Sequence, residues 1–83
     1  MEQGHLTMKY RIVRNGFEVV ERAKTFEEAR RLKAKCAETS ELILRTNYPG
    51  RDPRISGNAD SADVDIMNGD QIFRPEFFVI EGD

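Results

Sequence analysis

Asn15-Gly16 stands between two runs of strand-forming residues, and no other feature restricts the fold of this chain as tightly. A tight type I′ turn needs positive φ at both central positions, a conformation that asparagine and glycine reach at little cost. Upstream, Leu6, Met8, Tyr10 and Ile12 alternate with Thr7, Lys9 and Arg11; downstream lies Phe17-Glu18-Val19-Val20-Glu21-Arg22. Alternation of this kind on both sides predicts an antiparallel hairpin with one apolar face. A tight turn at Asn15-Gly16 places Arg14 opposite Phe17, Ile12 opposite Val19 and Tyr10 opposite Glu21. Met8, Tyr10, Ile12, Phe17 and Val19 are then expected on one face. Lys9, Arg11, Val13, Glu18, Val20 and Arg22 are expected on the other.

Thr25-Phe26-Glu27-Glu28 is a capping box, with Thr25 as N-cap and Glu28 three residues on. Acidic residues in the first turn and basic ones later suit the helix dipole. The spacing predicts a helix over residues 26–38 with Phe26, Ala29, Leu32 and Cys36 on the stripe that covers the hairpin. Leu42-Ile43-Leu44 reads as a third strand, apolar on both faces. Residues 47–63 are rich in Pro, Gly, Asn, Asp and Ser and are expected to form a long loop. Residues 64–73 admit two readings. Val64 and Ile66 around Asn68-Gly69 suit a hairpin; Ser61 as a cap and Gly69 as a stop suit a short helix, and the hairpin is preferred. Pro75 separates this segment from a closing strand, Phe77-Phe78-Val79-Ile80. The fold class expected is α+β: a small antiparallel sheet, ββα then two or three strands, with one helix packed on one face.

At 83 residues the chain is expected to form a single domain, with residues 1–7 poorly ordered. Its longest apolar run, Phe77 to Ile80, is far below the roughly 20 residues of a membrane span. It is also shorter than the apolar core of a secretory signal, about 7 to 15 residues. The lone cysteine, Cys36, offers no intrachain disulfide and agrees with a reducing compartment, so a cytoplasmic location is expected.

The residue set for chemistry is sparse. Cys36 falls on the expected buried stripe, and the single histidine, His5, lies in the terminal segment, so neither a Cys–His pair nor a serine triad with a base is in view. The glycines form no phosphate-binding loop. Asn58, Asp60, Asp63 and Asp65 offer oxygens but not the spacing of a calcium loop. The expectation is a chain that is not an enzyme and takes no cofactor or metal.

The net charge of −2 conceals a polarity. Residues 9–36 carry nine Lys and Arg against four Glu, a net +5; residues 37–83 carry four Arg against ten acids, a net −6. Lys9, Arg11 and Arg22 fall on the hairpin face away from the helix, beside Val13 and Val20, and one of Phe77 or Phe78 is expected to join them. A sheet face mixing cations with apolar side chains suits a protein partner. It also suits single-stranded nucleic acid, for which the helix residues Arg30, Arg31, Lys33 and Lys35 would add charge. The overall negative charge weighs against that alternative, because nucleic-acid affinity depends on neutralising phosphates. The expected function is a small protein-binding module of inhibitor or adaptor type, such as a phage-encoded blocker of a host complex. Its expected partner-binding residues are Lys9, Arg11, Val13, Val20 and Arg22.

Overall fold

The computed structural model describes residues 8–82. The elements run β1 (Tyr10–Arg14), β2 (Glu18–Ala23), α1 (Phe26–Asn47), β3 (Asp52–Asn58), β4 (Ser61–Asn68) and β5 (Gln71–Gly82). The strands form a five-stranded antiparallel sheet in the order β2-β1-β5-β4-β3, with α1 packed across one face. The α+β architecture expected above is therefore the observed one, with three strands after the helix. The expected disorder of residues 1–7, and His5 with it, lies outside the described residues.

The first turn forms where expected. Asn15 and Gly16 have φ of 54° and 85°, and the Phe17 N–H donates to the Arg14 carbonyl at 3.2 Å. The register does not follow from it. Arg14 pairs with Glu18 and Val13 with Val19, and a bulge then shifts the ladder so that Ile12 faces Glu21 and Tyr10 faces Ala23. The loop takes in Phe17 as a third residue, which shifts the ladder by one and reverses the facing of Val19 and Val20, so that Val20 packs on the core with Leu32 and Cys36 instead of sharing a face with Val13. The bulge at Val20 adds a second shift, which returns Arg22 to the face of Arg11.

The capping box is present, with the Glu28 N–H donating to Thr25 Oγ1 at 3.1 Å. The Glu28 carboxylate in turn accepts from the Lys24 N–H at 2.9 Å, one residue before the cap. The helix does not stop at 38. No Gly or Pro interrupts the chain between Phe17 and Tyr48, so Leu42-Ile43-Leu44 continues the helix and is not a strand. Helix α1 ends when the Tyr48 N–H bonds the Leu44 carbonyl and Pro49-Gly50 follows. Its buried stripe is Ala29, Lys33, Ala37, Ser40 and Leu44, rotated from the expected one. Leu32 and Cys36 are half-buried at its margin, and Phe26 stays exposed against the edge of the Tyr10 ring. Small residues on this stripe let the helix sit close over the whole sheet, against β3, β4 and β5 as well as the hairpin.

The expected loop over residues 47–63 contains a strand. Residues 52–58 form β3 at the sheet edge, where Pro53 and Gly57 are tolerated because only one side of the strand must pair. Pairing with β4 imposes this strand; its own composition does not ask for one. Strand β4 alternates, with Ala62, Val64 and Ile66 buried under the helix and Asp63 and Asp65 facing away. Of the two readings of residues 64–73 the hairpin is the observed one, turning at Gly69-Asp70 with Gly69 at φ 66°. Pro75 does not end the strand. It sits at an irregularity in β5, between the Val64–Glu76 and Ile66–Phe73 pairs, and β5 runs on to Gly82.

Lys33 ties the two ends of the fold together. Its ammonium donates to the carbonyls of Asn58, Ala59 and Ser61 at 2.6, 3.2 and 2.9 Å, filling the turn between β3 and β4. Burial, and then the nearby Arg30, pull its pKa below the usual lysine value, while Asp60 pushes it back up. In that turn Gly57 has φ 139°, and a Cβ there would collide with the Ser61 carbonyl oxygen.

Candidate functional site: the open face of the sheet

Helix α1 packs on one face, so among the described residues those of β2, β1 and β5 that point the other way form an open surface. Its geometry follows from the register. Val19, Val13 and Val79 lie side by side across three strands. Alongside them Arg22, Arg11 and Glu81 form a second row. Phe77 extends the apolar row toward the first turn, where its ring meets the position a Gly16 Cβ would take, at 3.9 Å. The Asn15 side chain accepts from the Phe77 N–H at 3.0 Å and the Asn15 N–H donates to the Phe77 carbonyl at 2.8 Å. Asn15 thus turns the hairpin and also pins its tip to β5.

The valine row is tightly packed at its centre and open at its edge. Val13, between Val19 and Val79, is only 4% exposed, and no helix among the described residues lies over it; Val19 itself is 41% exposed. Phe17, at the tip, is 80% exposed. In the charged row Arg11 reaches Glu81 at 3.4 Å. Arg22 stands directly across from Arg11, and like charges facing each other across a ladder are unfavourable. Past Phe77 the face turns acidic: Asp63 and Asp65 share Arg74, with its Nε 2.7 Å from Asp65 and a terminal nitrogen 3.7 Å from Asp63.

Four of the five expected binding residues are compatible with this surface. Arg11, Val13 and Arg22 share it, and Lys9 is exposed just before β1. Val20 is not on it; the three-residue loop turns it toward α1, and Val19 takes the place beside Val13. Phe77 is the phenylalanine on this side, while Phe78 is buried under the helix. Val19 and Val79 were missed. Val79 was legible from the alternation of Phe77 to Ile80, whereas Val19 depended on the loop holding three residues and not two. The helix cations do not extend the surface. Lys33 is buried in the turn of β3 and β4, and Arg30, Arg31 and Lys35 are exposed on α1, across the sheet from Arg11 and Arg22.

The remaining chemistry-bearing residues are accounted for locally. Cys36 is half-buried, not fully buried as expected, and burial with help from Glu21 pushes its thiol pKa up while Arg14 pulls it down. Asn58 Oδ1 accepts from the Asp60 N–H and the Ser61 hydroxyl at 3.1 and 3.0 Å, and so shapes the turn. Among the described residues no group of three or more His, Cys, Asp or Glu is placed to hold a metal ion. No helix among them is long and apolar enough to cross a membrane. In comparisons with known protein families, curated sequences and solved structures, nothing matches the chain.

Proposed function

We propose that the chain is a non-catalytic protein-binding module of inhibitor or adaptor type, acting in the cytoplasm, that presents the open face of β2, β1 and β5 to a larger protein. The partner surface it suits is apolar at its centre and acidic on the side of Arg11 and Arg22. The observation that carries this reading is the row Val19–Val13–Val79 with Arg22 beside it, uncovered by any element among the described residues. An apolar patch bounded by polar groups is the usual anatomy of a docking surface. A nucleic-acid partner fits less well. The cations stand on opposite sides of the sheet, and Asp63 and Asp65 share the open face, so the described residues form no continuous track for a phosphate backbone.

The test is quantitative affinity purification from the native host, followed by binding measurements on any partner recovered. Val19→Asp and Arg22→Glu should each weaken binding by tenfold or more while leaving the fold intact. Retention of the partner by both variants would dismiss this surface. Affinity falling steeply and linearly with salt on logarithmic axes would point to nucleic acid instead.

A further inference from the structure

Strand β2 is an edge strand, so its outer backbone donors and acceptors have no strand partner among the described residues. On its helix side, between α1 and the first-turn ends of β2, β1 and β5, lies a cleft of about 320 Å³ walled by Val20, Leu32, Cys36, Ile43 and Phe78. A free strand edge next to an apolar cleft is the arrangement by which folded domains take up extended peptides: the edge bonds the peptide backbone and the cleft receives a side chain. We infer that this edge and cleft together capture an extended peptide segment by strand addition. This inference rests on the reading of the chain as a protein-binding module, but it uses the opposite side of β2 from the open face.

The charges around the cleft state what such a segment carries. Glu18 is taken by Arg14, and Glu76 accepts from the Ser40 hydroxyl at 2.9 Å. Lys35 and Glu21 line the cleft and form no ion pair among the described residues, Glu21 acting only on the Cys36 thiol. Arg14 Nε is buried there without a hydrogen-bond partner. A large apolar residue flanked by one acidic and one basic residue would fill the cleft, meet Lys35 and Glu21, and bring backbone carbonyls within reach of Arg14. The bulge at Val20 and Glu21 decides against a second copy of the chain as occupant. It interrupts the regular pleat of β2, and bulges on an edge strand disfavour long edge-to-edge pairing. A short segment anchored by one side chain needs no long ladder.

The experiment is selection of random linear heptapeptides displayed on phage against the immobilised full chain. The tightest binder is then synthesised and titrated into ¹⁵N-labelled protein. We expect enrichment of a large aliphatic residue between an acidic and a basic one, and amide shifts along β2 and at Leu32 and Cys36. Affinity should fall at least tenfold when alternate peptide amides are N-methylated. It should fall as much on Thr39→Trp, which fills the cleft from its exposed rim, and on Lys35→Glu. Val19→Asp and Arg22→Glu should leave peptide binding unchanged, which separates this site from the open face. Failure to enrich any peptide would overturn the inference. So would binding indifferent to N-methylation and to Thr39→Trp, or shifts confined to Val13 and Val79.

Discussion

The two faces of the sheet bury valine and isoleucine by different means. On the covered face, Ile12 is fully buried beneath α1, in one cluster with Val64, Ile66, Phe78 and Ile80. On the open face, Val13 is almost as inaccessible, yet it stands outside that cluster, flanked by Val19 and Val79 in adjacent strands. Low exposure therefore does not mark a residue as part of the core. A side chain can be nearly inaccessible and still stand on the sheet face that the helix does not cover.

This contrast predicts a graded response to substitution. Ile12→Ala should be the most damaging, removing a fully buried side chain at a cost of about 2–5 kcal/mol, a large share of what a domain this size has. A melting temperature near wild type would place Ile12 outside the core. Lys33→Met keeps the length of the side chain but leaves three carbonyls of the β3–β4 turn without their donor. Each such bond to a charged group is worth about 1.5–3 kcal/mol, offset by relief of the lysine's own desolvation, so a net loss of about 3 kcal/mol is expected from denaturant titration. No change would mean the ammonium contributes nothing there. Val13→Ala should cost only about 1 kcal/mol, the scale of its cross-strand contacts with Val19 and Val79. If it matched Ile12→Ala, the two faces would be energetically alike and the contrast would collapse. Arg22→Glu should change stability by less than about 0.5 kcal/mol, as exposed charges do. It exchanges a like-charge pairing with Arg11 for an opposite one, and a slight gain is the expected sign.

What could be read from the residues and what could not divide along physical lines. The Asn15-Gly16 turn, the Thr25 cap and the closing strand were legible because each depends on local chemistry. The face assignments of Ile12, Val13 and Arg11 were legible too, since they follow from alternation along β1. The facing of Val20 was not, because Phe17 joins the loop as a third residue and reverses it, without any Gly or Pro beyond Asn15-Gly16 to mark the place. Leu42-Ile43-Leu44 is apolar enough for either a strand or a helix, and only the absence of a breaker from Ala23 onward favoured the helix. Strand β3 was the least legible: it is strand because β4 lies beside it, and because Lys33, distant in the chain, holds its turn. A lysine that looks like surface charge in the sequence is in the structure an internal strut.

The strand order has a consequence for how the molecule comes to exist. Strand β1 sits between β2 and β5, and its pairs with β5 join Tyr10 to Gly82 and Arg14 to Phe78. The hairpin and α1 are built from near neighbours and can assemble as soon as those residues leave the ribosome. The middle of the sheet cannot, since a nascent chain must extend past Ile80 before β1 acquires its second neighbour. Closing so long a loop is slow compared with forming a hairpin or a helix. Until then Ile12 and the underside of α1 have only half their covering, and the growing chain presents an apolar surface that molecular chaperones are suited to hold.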